Sequence, residues 1–138
     1  ITRTERLLRN RLGEQVLLRL QSPIQLNDYS EPEPDIAVVT VDPLDYEDHH
    51  PTTSEVYLII EVADSSLNRD LEVKATIYAQ SGIIDYWVLD VNERQLHVFR
   101  EPSQDGYQRE VILRDEATIF PLAFPNCLII VREMLRPQ

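Results

Sequence analysis

A chain of 138 residues, 43% hydrophobic and with a formal net charge of −11, holds enough apolar material for one real core and too little for two ordinary domains. Its single cysteine, Cys127, excludes an internal disulfide and any multi-cysteine zinc site, and suits a reducing, cytoplasmic setting as a small buried side chain. No apolar run approaches the roughly 20 residues of a membrane-spanning helix, and the N-terminus lacks the apolar core of a secretory signal, so no membrane partner is expected.

In chain order, residues 3–20 place Leu7, Leu8, Leu12, Val16 and Leu20 on one helical stripe, and Ser22-Pro23 stops the predicted helix. Gly13 inside it costs up to about 1 kcal/mol relative to alanine, which suggests close packing there. Residues 1–20 carry Arg3, Arg6, Arg9, Arg11 and Arg19 against Glu5 and Glu14, a local charge of +3 in a chain that is −14 elsewhere. Because the chain opens at Ile1 directly in a helical pattern, we expect a single domain over residues 1–138 that lacks upstream N-terminal residues.

PIQLND reads as a short strand or edge, and the turn-rich YSEPEP follows, where Pro32 and Pro34 keep the backbone extended up to Asp35. IAVVTV is β-branched and nearly continuously apolar, the pattern of a strand buried on both faces. Residues 42–54 are acidic and polar with two prolines and read as a loop. Its His49-His50 pair beside Asp48 invites a metal reading, but without further spaced ligands a solvated loop is the better one. VYLIIEV is a second buried strand with Glu61 near its end. An unpartnered carboxylate there would cost several kcal/mol, so a metal ion or an arginine partner is expected beside it.

DSSLNRD supplies turn and capping residues for a helix predicted from Leu71 to Ser81, ended by Gly82. On that helix Asp70, Lys74 and Tyr78 recur every fourth residue and fall near one face. IIDYWVLDV is a third strand; QLHVFRE alternates as a fourth, with His97 read as half-exposed; and DGYQREVILRD pairs onward after its Asp105-Gly106 turn. The apolar tail ends in a short helix predicted near Leu128 to Leu135. A helix linking two apolar strands is the crossover of a mixed α/β sheet with helices on its faces.

Three of these residues carry a chemistry. Asp35 opens one apolar strand and Glu61 ends the next, and two carboxylates so placed can hold Mg²⁺ or Mn²⁺, with Lys74 supplying positive charge where a phosphate reacts. The net charge opposes this reading, since it repels a polyanion at long range. The basic N-terminal segment, the bound cation and a homodimer that juxtaposes two such segments all soften the objection.

The series PEPDIAVV, LIIEVADSS, RDLEVKATIYA, GIIDYWVLD and HVFRE resembles the Uma2 family, assigned to the restriction-endonuclease-like, or PD-(D/E)XK, nuclease superfamily. The resemblance runs from about residue 20 to the end. It implies a restriction-endonuclease-like α/β core and a metal-dependent endonuclease acting on DNA. By it, Pro34-Asp35 matches the PD motif, and Asp35 and Glu61 are metal ligands with the Val62 backbone carbonyl as a third. The usual superfamily lysine lies two positions after the glutamate, where this chain has Ala63; the resemblance moves that role to Lys74, with Asp70 in support. Ala63 and the acidic charge also leave open a catalytically inactive nuclease-like scaffold or regulatory oligomer.

Overall fold

A computed structural model describes residues 1–27, 30–64 and 70–138, with the side chain of Asp70 outside the description. Helix α1 (Thr2–Leu12) ends at Gly13, whose φ of 60° and ψ of −142° suit glycine alone. A short 3₁₀ turn over Gly13–Gln15 leads into strand β1 (Leu17–Leu20). The helix expected to reach residue 20 therefore stops at Leu12. LLRL pairs with strand β2 (Ile36–Val39), Leu17 opposite Val39 and Leu20 opposite Ile36, and this ladder overrides the helical spacing of the leucines.

Strand β3 (Val56–Ala63) runs antiparallel to β2 and parallel to β4 (Asp85–Asp90). A parallel pair needs a crossover, and the crossover carries a π turn (Asp70–Lys74) followed by helix α2 (Ala75–Ser81). The helix expected over Leu71–Ser81 thus opens in the wider π form, a local feature common at functional sites. Gly82 ends it at φ 87°, its N–H reaching the carbonyls of Tyr78 and Ala79. Strands β5 (Gln95–Ser103) and β6 (Gly106–Arg114) complete a mixed six-stranded sheet in the order β1-β2-β3-β4-β5-β6. The tail forms no α-helix. Strand β8 (Ile129–Ile130) pairs with β7 (Thr118–Ile119), and a 3₁₀ turn spans Val131–Met134. PIQLND contributes two isolated bridges among the described residues, Gln25 to Thr52 and Asn27 to Ser30.

Two apolar layers cover the sheet. Leu58, Ile60, Trp87, Leu89 and Leu96 pack under α1 and the C-terminal segment, with Leu8, Leu12, Ile129 and Val131 opposite them. Ile59, Ala63, Tyr86, Val88 and Phe99 pack on the other face with Ala75 and Tyr78. Strand side chains alternate between faces, so Glu61, between Ile60 and Val62, shares the α2 face of Ile59 and Ala63. His97 on β5 is buried at 6% exposure, not half-exposed, because both neighbouring strands flank it. No described helix is long and apolar enough to cross a membrane.

Candidate active site

Asp35 and Glu61 meet at one end of the β2–β3 pair because Ile36 lies opposite Ile60, which sets the residues just beyond them side by side. Asp35 sits at a bend just before β2, and its carbonyl accepts the Gln21 amide at 3.1 Å. Its Oδ2 accepts the Val62 amide at 2.8 Å, while its own amide donates to Glu61 Oε2 at 3.4 Å. The two strand ends are therefore tied twice through the two candidate carboxylates.

Glu61 is 3% exposed. Its Oε1 faces the crossover, where the Lys74 ammonium at the end of the π turn approaches at 3.6 Å and the Tyr78 hydroxyl of α2 donates at 3.4 Å. Lys74 and Tyr78 are four residues apart and present one helical face to one carboxylate oxygen. Burial, and then the charge of Glu61, push the Tyr78 phenol well above its ordinary range, so it stays a neutral donor. Its ring tilts against Tyr86 at 4.9 Å, and Tyr86 stacks on Phe99 and Tyr107, which anchors this end of α2. Among the described residues the cation beside Glu61 is Lys74 from the crossover, in place of the expected arginine.

Asp35, Glu61 and Lys74 thus come together, with the Val62 backbone at the same point. Asp70 begins the π turn, but its side chain and residues 65–69, read as turn and capping residues, lie outside the described residues. Tyr78 is the contact that sequence reasoning left without a role; its spacing from Lys74 was the available signal.

Two hard carboxylates at adjacent strand ends, one buried and one part-buried, are a donor set suited to Mg²⁺ or Mn²⁺. A second acidic cluster lies at the opposite end of the β2–β3 pair. Ligand atoms of Asp42, His49 and Glu55 fall within 4.8 Å of one another. Each is also committed to holding the loop: Asp42 Oδ2 accepts the Leu44 and Tyr46 amides at 3.0 Å, and Glu55 Oε1 accepts the Thr52 amide at 3.0 Å. His49 lies between Asp48 at 2.8 Å and Glu55 at 3.3 Å, and these contacts raise the imidazole above its ordinary value.

A family model named Uma2, described as "putative restriction endonuclease", matches residues 1–131. The chain belongs to the Uma2 family. The match begins at residue 1, so α1, which the resemblance from about residue 20 left out, is part of the family's domain. A solved structure from Anabaena variabilis, described as a putative nuclease belonging to DUF820, superposes on this Uma2 chain with a TM-score of 0.71 at 14% identity, covering 96% of this chain and 76% of that one. At that identity the likeness establishes the shared nuclease-type fold. No curated protein sequence matches the Uma2 chain.

Proposed function

We propose that this Uma2 protein is a metal-dependent endonuclease that hydrolyses phosphodiester bonds in DNA, working in a cytoplasmic setting. The observation that carries the reading is the convergence of Asp35, Glu61 and Lys74 at the end of the β2–β3 pair, in a chain whose family is described as a "putative restriction endonuclease".

In this reading Asp35 and Glu61 hold Mg²⁺ or Mn²⁺ from two neighbouring strand ends, with the Val62 backbone carbonyl as a third donor. The ion supplies Lewis-acid polarisation of the phosphoryl group and a more acidic water when bound. Asp35 is kept in place by the Val62 amide, which leaves its carboxylate oriented before any ligand arrives. Lys74, with its side chain 43% exposed, reaches the phosphate from the π turn and stabilises the negative charge that develops in the transition state. It fills the role that Ala63, two positions after Glu61, cannot. Asp70 supports Lys74 in this scheme, and a homodimer brings two arginine-bearing N-terminal segments toward an acidic protein's polyanionic substrate.

The test is a calorimetric Mn²⁺ titration of the chain beside Asp35→Asn and Glu61→Gln, with circular dichroism to show that all three fold, followed by plasmid cleavage. Saturable binding lost in both variants, together with cleavage lost in Glu61→Gln, supports the reading. Cleavage retained by folded Glu61→Gln sinks it.

A further inference from the structure

The site holds one contact that the proposed chemistry does not use. Among the described residues, Lys74 of the π turn and Tyr78 of α2 approach Glu61 Oε1 as donors of different character. Lys74 ends in a mobile, strongly hydrated ammonium on a side chain 43% exposed. Tyr78, 1% exposed, ends in a hydroxyl on a ring wedged against Tyr86. If Lys74 turns toward a phosphate as substrate arrives, its hold on Oε1, already long at 3.6 Å, weakens. The Tyr78 hydroxyl cannot follow. Its ring is fixed by the aromatic stack of Tyr86, Phe99 and Tyr107.

Resting on the proposed metal site, we infer that Tyr78 is a positioning residue: its hydroxyl holds Glu61 Oε1 toward α2, keeps Oε2 directed at Asp35 and the cation, and so frees Lys74 for the substrate phosphate. A carboxylate that must bind a cation with one oxygen needs the other restrained, and a neutral donor restrains it without adding a repelling charge. Hydrogen-bond partners of metal ligands characteristically govern affinity in this way. The two donors therefore act on the metal with opposite sign. Lys74 competes with the cation for Glu61, whereas Tyr78 orients Glu61 toward it.

The experiment is a calorimetric Mn²⁺ titration of the parent chain, Tyr78→Phe and Lys74→Met, with thermal melting of each in metal-free buffer. Tyr78→Phe should weaken Mn²⁺ about tenfold, and Lys74→Met should bind Mn²⁺ as tightly as the parent or more tightly. Mn²⁺ affinity is a readout that a merely structural tyrosine would not move. Equal affinity of Tyr78→Phe and parent overturns the inference while leaving the metal site standing, and so does equal weakening in both variants. A Tyr78→Phe chain that fails to fold overturns it too, because a role limited to Glu61 leaves the ring packing on Tyr86 intact. A folded parent that takes up no Mn²⁺ removes the metal reading itself, and this inference with it.

Discussion

The Val62 amide donates to Asp35 Oδ2 at 2.8 Å, so the residue next to Glu61 fixes the carboxylate that faces it. The two acidic residues are thus held in register by backbone as well as by the sheet. Substituting Asp35 separates structure from chemistry. Asp35→Asn keeps an oxygen acceptor for Val62 and should change stability by well under 1 kcal/mol, whereas Asp35→Ala strands the amide and should cost about 1–2 kcal/mol. Urea unfolding of the two variants checks this, and equal losses would show that the Val62 contact contributes nothing.

Asp85 is fully buried and held by four donors: Trp87 Nε1 at 2.8 Å, Arg100 Nε at 2.9 Å and Nη2 at 3.3 Å, and the Leu122 amide at 2.9 Å. Burial raises its carboxyl, and Arg100, Leu122 and Trp87 pull it part of the way back. A carboxyl raised in the folded state contributes stability that is present below the unfolded value near 4 and lost as pH rises. Arg100→Met removes the main offset and should cost about 3 kcal/mol at pH 7. That deficit should shrink toward pH 4, as Asp85 takes up a proton. Denaturation at the two pH values measures the difference; a deficit independent of pH would contradict it.

The loop before β3 should respond to pH through His49. Its imidazole is raised by Asp48 first and Glu55 second, so its contribution is complete below 6.5 and lost as pH climbs through the folded value. Asp48 and Glu55 are lowered, chiefly by His49 and by the Thr52 amide respectively, and their contributions are lost as pH falls below the ordinary carboxylate range. Amide protection across residues 42–55, measured against the intrinsic exchange rate at each pH, should be highest between about pH 4.5 and 6.5. His49→Ala should abolish the fall in protection on the alkaline side.

Gly82 ends α2 at φ 87°, and a Cβ there would meet nothing closer than Thr53 Cγ2 at 3.7 Å. The cost of Gly82→Ala is therefore conformational rather than steric and should be about 1 kcal/mol, with Gly82→Asn costing less. Thermal melts of the two variants give the ranking, and a silent Gly82→Ala would refute it.

The strands at Ile36–Val39, Val56–Ala63 and Asp85–Asp90 were legible because each is buried on both faces and reads as a continuous β-branched or aromatic run bounded by turn residues. Gly82 marked the end of α2 in the same local way. The candidate site was legible as a set, since a glutamate inside an apolar run demands a partner whatever the fold. Leu17–Leu20 was not: its spacing suits a helix as well as a strand, and only the open edge of β2 chose between them. The C-terminal tail was legible in part: β7 took Ile129–Ile130 into a strand pair, and the short helix expected there is confined to the 3₁₀ turn Val131–Met134.

By itself, then, the sequence determined which segments must be buried, which carboxylates could not stand alone, and which helix carried a lysine. Only the tertiary structure decided that Lys74 and Tyr78 meet the same oxygen of Glu61, that Val62 holds Asp35, and that Arg100 answers Asp85. Periodicity assigns a residue to a face, and that much is local. Which partner it meets depends on strand order and register, and these are set by backbone pairing between segments that spacing along the chain does not connect.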